Sequence, residues 1–222
     1  MAWAAGREAA GLTRMAGEET PAFQNFIPDG PGWETVRSDL LYANAYVQVY
    51  QVVVRTPARP GGVPWTVAHR KAGAVIVPMT PDGRLLLIRQ ERIPIRAVIW
   101  EFPAGQIDSA VEQGEEAQGE AIRATAVREL KEETGYELGP EGELIAMGIY
   151  YSSAGFTDEH SYMFLARGVR PSGEGAKHDA GESILEARAF TAEELRKMIA
   201  DGEVRDANTM SAFARMTALG FI

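Results

Sequence analysis

The sequence predicts an α+β fold or an α/β/α sandwich, and three observations lead there. Short β-branched and apolar runs recur on both sides of one long segment, about Glu116 to Thr134, dominated by Ala, Leu, Glu, Lys and Arg. A capping signature opens a further helix near the C-terminus, and no internal repeat or low-complexity tract interrupts the pattern. With 222 residues, 45% hydrophobic and 24% charged, the chain is long enough for a packed core and ordinary for a soluble protein.

Taken in order, residues 1–25 read as a weakly structured Ala-rich tail, or a short helix that needs a partner to bury its Ala, Met and Leu, set off by Pro28, Gly30, Pro31 and Gly32. Ala45–Val54 is rich in β-branched and aromatic residues, alternates at first, and reads as a strand. The turn cluster Pro57–Gly62 and the short run Trp65–Ala68 predict a hairpin. Gly73–Met79 and Arg84–Arg89 flank Thr80-Pro-Asp-Gly83, a second hairpin, and Val98–Phe102 supplies another strand. The helix over about Glu116–Thr134 ends at Gly135, which suits a left-handed C-cap. Strands resume at Leu144–Tyr150, Ser161–Ala166 and Leu185–Phe190. Thr191-Ala-Glu-Glu194 is a capping box for a helix stopping near Gly202, and a last helix covers Ala207–Leu219.

Composition excludes several function classes. Against 22 Lys and Arg stand 31 Asp and Glu, a net charge of −9, so the basic footprint of a nucleic-acid binder is missing. Without cysteine there is no disulfide, zinc–thiolate site or thiol nucleophile. No apolar run reaches membrane-helix length. Arg7, Glu8, Glu18 and Glu19 interrupt any signal-peptide core, which leaves the cytoplasm as the expected location.

The chemistry concentrates on the central helix. Glu129 and Glu133 are four apart and Glu129 and Glu132 three apart, so all three share one face, with Glu120 upstream. Like charges so spaced destabilise a helix unless something neutralises them. Hard cations such as Mg²⁺ or Mn²⁺, which prefer carboxylate oxygen, would do so. A solvated face on which Arg123, Arg128 and Lys131 pair with the glutamates is the plainer alternative. The spacing decides between them. Glu120, seven residues, then Arg128-Glu-Leu-Lys-Glu-Glu-Thr-Gly-Tyr136 resembles the Nudix box, E-x7-R-E-U-x-E-E-x-G-U with U apolar, differing only in Tyr136 where an aliphatic residue is usual. The box normally opens with a glycine five residues before its first glutamate. Gly114 meets that count, but Trp100-Glu-Phe-Pro-Ala-Gly-Gln-Ile-Asp108 resembles the opening segment of one Nudix branch. On that preferred reading Gly105 is the box glycine, fourteen residues precede Glu120, and nine of them are an insertion near Ser109–Gly114.

From about Trp33 to the C-terminus the chain looks closest to ADP-ribose pyrophosphatases. Arg89-Gln-Glu-Arg-Ile-Pro94, Glu101-Phe-Pro-Ala-Gly105, Tyr151-Ser-Ser-Ala-Gly-Phe-Thr-Asp-Glu159 and Asp201-Gly-Glu-Val-Arg-Asp-Ala-Asn-Thr209 carry the likeness; Ala154 stands where the branch has a marker proline. The resemblance implies a Nudix α/β/α sandwich with a mixed sheet plus a small N-terminal antiparallel sheet. It divides the chain into a tail at 1–30, a β region at 31–70 for dimerisation and base stacking, and a Nudix domain at 71–222.

It also implies metal ligation by Glu129, Glu133 and the carbonyl of Ala104, with Glu132 assisting and Arg128 orienting the glutamates. Glu182 would be the general base, with Glu159 a weaker candidate for base or metal duty. Arg92 would face the diphosphate, Glu101 the sugar or base edge, and Trp33 and Trp65 would stack on the adenine of a homodimeric enzyme. The implied reaction is Mg²⁺-dependent hydrolysis of a nucleoside diphosphate sugar, with ADP-ribose first, giving AMP and ribose 5-phosphate. Another nucleotide sugar such as GDP-mannose, a diadenosine or dinucleotide substrate, or a catalytically silent ligand sensor are the alternatives. His69, His160 and His178 are scattered and read as structural or solvent-facing.

Overall fold

The computed structural model describes residues 27–107, 114–178 and 181–222. The expected tail at 1–25 lies outside these residues, as does the insertion from Ser109 to Gln113.

The described chain opens with a three-stranded antiparallel sheet, β1 (Glu34–Ala43), the valine-rich β2 (Gln48–Thr56) and β3 (Arg59–His69). The sequence predicts β2, but β1 carries too many charged and polar residues to show a strand period. The β2–β3 turn is also tighter than the Pro/Gly cluster suggests. Thr56 pairs with Arg59 and Val54 with Val63, so Pro60, Gly61 and Gly62 lie inside β3 rather than in the loop. These residues are on an exposed sheet margin, where proline and glycine are tolerated.

The second sheet has seven strands, in the order β10-β5-β4-β9-β8 with β6 beside β5 and β7 beside β4. Its members are β4 (Gly73–Met79), β5 (Leu85–Arg92), β6 (Ala97–Glu101), β7 (Ala104–Gln106), β8 (Tyr136–Tyr151), β9 (His160–Pro171) and β10 (Ile184–Phe190). β4 and β9 run parallel and the remaining pairs antiparallel, which makes the sheet mixed. Alternation along the central strands splits the core. Val75, Val77, Leu85 and Leu87 join Phe102, Leu195 and Met216 on one face. Ala74, Ile76 and Leu86 join Ile122, Ala126 and Leu130 on the other. The first face is covered by α2 (Ala192–Ala200) and α3 (Ala207–Ala218), the second by α1 (Gly114–Thr134). The molecule is the predicted α/β/α sandwich with a small antiparallel sheet appended.

Two local features place the chemistry. β4 and β5 pair only at Met79 and Leu85 and then diverge, and β6 and β7 fill the opening, β6 against β5 and β7 against β4. At the end of α1, Gly135 takes φ +73° and its N–H closes on the Lys131 carbonyl, the expected C-cap. The chain after β9 then folds back over this helix end. Ser172 N–H donates to the Gly135 carbonyl at 2.9 Å and Lys177 N–H to the Glu132 carbonyl at 2.8 Å.

Substituting Gly135→Ala tests this packing. An alanine there meets the backbone nitrogen of Ala176 at 2.8 Å in addition to its left-handed strain, so we expect a loss of about 1–2 kcal/mol or more. Denaturant unfolding with an unchanged m value checks it.

Candidate active site

Helical spacing brings Glu129 and Glu133 to the inner face of α1, and the sheet beneath determines what they meet. Glu129 and Glu133 are buried, and with Glu182, from the segment leading into β10, they place three carboxylate oxygens within 4.8 Å of one another. Glu133 Oε2 accepts the Ala104 N–H at 2.8 Å, which fastens β7 to the helix. Glu129 lies against Gly105 so closely that a Cβ on Gly105 would fall inside its carboxylate. Gly105 is therefore the glycine that abuts the acids. Arg128 bridges Glu129 at 2.6 Å and Glu132 at 2.6 Å on the outer side of the helix.

Crowding and burial raise the proton affinity of the two helix acids. Burial, then the charges of Glu182 and Glu132, push Glu129 up to about 7 against the pull of Arg128. Burial and the nearby Glu129 and Glu182 push Glu133 up to about 9, opposed by the Ala104 N–H and Arg92. Three oxygen donors around one point, with too little positive charge to balance them, suit a hard divalent cation. Glu129, Glu133 and Glu182 could hold it, and the glycine cradle at 105 leaves them room.

The other expected residues are distributed as follows. Glu132 stays on the half-exposed side of α1, engaged by Arg128, and is outside the three-acid cluster. Glu120 is exposed. Glu159 is also outside the cluster. Its Oε1 bridges Arg70 at 2.8 Å and its Oε2 accepts the Ser152 hydroxyl at 2.8 Å, so it closes the 152–159 loop. Arg92 and Glu101, expected to face different parts of a ligand, form a fork with each other: Arg92 Nε donates to both oxygens of Glu101, at 2.8 and 3.0 Å, and Nη2 to Oε2. Glu101 is buried and its carboxyl is pushed up by that burial, while Arg92 keeps an exposed edge.

Trp33 and Trp65 line one cleft of about 510 Å³ with Tyr151, Ala154 and Phe156. It lies at the seam between the small sheet and the 152–159 loop. Trp65 Nε1–H donates to the Gly155 carbonyl at 3.0 Å, and the Ala68 N–H donates to that of Phe156 at 3.0 Å. His69, fully buried at the end of β3, joins this seam through Asp158 at 2.5 Å. His160 is buried and His178 exposed, with its Nε2 3.2 Å from the Glu133 carbonyl. A lone histidine and a lone aspartate eighty-nine residues apart give no sequence signal of such pairing.

The NUDIX domain model matches residues 69–213. This chain belongs to the Nudix family. It is 31% identical over 179 residues to an ADP-ribose pyrophosphatase of Bacillus subtilis (strain 168), covering 81% of this chain and 89% of that protein. It is 28% identical, with the same coverage, to a methanol dehydrogenase activator of Bacillus methanolicus. A solved structure described as an ADP compounds hydrolase superposes with a TM-score of 0.64 at 17% identity, covering 90% of this chain and all of that one, a likeness of fold. Within this Nudix protein the box helix, the Ala104–Gly105 strand and the Glu182 segment thus converge on one point from three parts of the sequence. Among the described residues no helix is long and apolar enough to cross a membrane.

Two tests follow from the packing of the acids. Glu129 and Glu133 bind protons more tightly folded than unfolded, so folding takes up protons between about pH 4.5 and about pH 9, and metal-free stability falls as pH rises through that window. Added Mg²⁺ should therefore raise the melting temperature more at about pH 8.5 than at about pH 6.5. Glu133→Gln should flatten the difference, and an equal shift at both pH values in the wild type would remove these carboxylates as the ligands. Gly105→Ala should displace Glu129 and cut both Mg²⁺ affinity and turnover by about 10–100-fold, read by metal titration and steady-state rates.

Proposed function

We propose that this Nudix protein is a Mg²⁺-dependent pyrophosphatase of nucleoside diphosphate sugars acting on ADP-ribose, with AMP and ribose 5-phosphate as products. The observation that carries the reading is the meeting of Glu129, Glu133 and Glu182 against the Gly105 cradle. The ADP-ribose pyrophosphatase relative, similar over most of both chains, supports the substrate.

A diphosphate approaching a protein of net charge −9 needs local positive charge. Bound among Glu129, Glu133 and the Ala104 carbonyl, Mg²⁺ or Mn²⁺ would supply that charge and acidify a water. The exposed edge of Arg92 offers the diphosphate further N–H donors, while Glu101 fixes the guanidinium plane from the buried side. Glu182, the least buried of the three acids, takes the proton of the attacking water as its oxygen bonds to phosphorus and the bridging P–O bond breaks. Nothing covalent to the protein is needed. Glu132 assists by holding Arg128 in place. Glu159 acts at one remove, by ordering the loop that lines the aromatic cleft.

The adenine stacks in the cleft of Trp33 and Trp65, whose volume suits a nucleoside. Ala154 in its wall stands in for the branch's proline without closing it. Residues 31–70 serve as the dimerisation and base-stacking region and 71–222 as the catalytic domain. Val36, Leu40, Leu41, Tyr42 and Tyr46 are exposed on or beside β1, and a second copy of the chain covers them. The protein works in the cytoplasm and engages neither nucleic acid nor membrane.

Purified protein with Mg²⁺ should release AMP from ADP-ribose faster than mononucleotides from ADP-glucose, GDP-mannose, NADH or diadenosine polyphosphates. Glu182→Gln should lower kcat by about 10²–10⁴-fold with KM little changed. Preference for another member of the panel would move the substrate and keep the mechanism. A folded protein that turns over none of them would refute the enzyme and favour a sensor.

A further inference from the structure

The start of α3 lies across the sheet from the acidic cluster, yet a hydrogen bond ties it to the backbone two residues before Ala104, whose N–H holds Glu133. Asp206 N-caps the helix, its Oδ2 accepting the Thr209 N–H at 2.7 Å and the Thr209 hydroxyl at 2.8 Å. The same hydroxyl accepts the Phe102 N–H at 2.8 Å. Thr209 is 0% exposed, so no water competes for any of these bonds.

Phe102 occupies a particular place in the chain. Glu101 still pairs with Ile88 of β5, and Ala104 already pairs with Val75 of β4. Phe102 and Pro103 make the crossing between the two ladders, where the backbone belongs to neither strand. Proline has no N–H, and the Pro103 carbonyl accepts from Ile76 N–H at 2.9 Å. Thr209 supplies the partner for Phe102 N–H, which an unmet burial would otherwise penalise. One residue before the crossing is Glu101, forked with Arg92, and at its end is Ala104, whose N–H holds Glu133. The crossing thus sets how β7 is presented to the helix acids.

We infer that Thr209, oriented by Asp206, is a positioning residue for the metal site: its hydroxyl fixes the Phe102–Pro103 crossing and, through it, the backbone of Ala104 and Gly105 against Glu133 and Glu129. Only a side chain that donates and accepts at one atom can satisfy both Asp206 and Phe102, which valine, of the same shape, cannot do. The inference rests on the metal site proposed above.

The test is Mn²⁺ binding to the full chain by calorimetry. Thr209→Val should weaken Mn²⁺ about tenfold or more, as loss of a supporting partner around a metal site does, and lower kcat on ADP-ribose at saturating Mn²⁺ with KM nearly unchanged. Thr209→Ser, which keeps the hydroxyl, should restore both. Ala212→Gly, buried on the same helix, should lower the melting temperature while binding Mn²⁺ as the wild type does. Asp206→Ala leaves the hydroxyl without its orienting acceptor and should weaken Mn²⁺ in the same direction, which covers the case of a Thr209→Val chain that does not fold. Wild-type affinity in Thr209→Val or in Asp206→Ala overturns the positioning role and leaves the metal site standing. A wild-type protein that binds no Mn²⁺ overturns both.

Discussion

The constraint on which the rest depends is the burial of like charge. Three carboxylates share a space less than 5 Å across, two of them nearly closed to water. In an ordinary core this would be costly, because burying an ionised group without a counter-charge disfavours the folded state. The surrounding structure resists relaxation instead of relieving it. Helix α1 fixes the spacing of Glu129 and Glu133, and Gly105 leaves no room for retreat on the sheet side. The chain after β9 caps the helix end on its way to Glu182. A cation entering among these oxygens would have to displace protons from Glu129 and Glu133, so metal binding there would be coupled to folding through the same oxygens.

The splayed sheet makes that geometry available. Had β4 and β5 stayed paired along their length, there would be no opening for β6 and β7 and no backbone at the height of Glu129 and Glu133. The crossing at Phe102–Pro103 needs partners that neither ladder provides, and it draws them from both sides: Ile76 from the sheet and Thr209 from α3. Layers that seem to serve only as core on the far face therefore reach the site through the backbone.

Periodicity and capping made most of this legible. The limits of β4 and the central helix, the Gly135 cap and the Thr191 capping box are local matters, decided by residues adjacent in sequence. β1 and β7 were not legible. β1 mixes charged, polar and apolar residues without a regular period, and β7 is three residues held by its partners rather than by its own preference. The same division holds at the site. The acids of α1 follow from a fixed spacing, and Glu182 came from likeness alone. That Arg92 and Glu101 would face each other depends on the β5–β6 register, and that Glu159 would be spent on Arg70 and Ser152 depends on a loop fold. Neither is encoded in short-range sequence.

The two halves of the molecule face different demands. Cleaving a diphosphate asks for fixed acids, and these come from a helix, a short strand and a tethered segment packed on one sheet. On the proposed reading, recognising a base asks for flat apolar surface, and Trp33 and Trp65 offer it from a separate sheet that bonds to the 152–159 loop through the Trp65 indole, the Ala68 amide and the His69–Asp158 pair. Because that seam runs through the 152–159 loop, a change such as alanine for proline at 154 alters the wall of the cleft without touching Glu129, Glu133 or Gly105. A base held there, as proposed, could change without moving the acids, so substrate preference and cleavage chemistry would be set in separate parts of the fold.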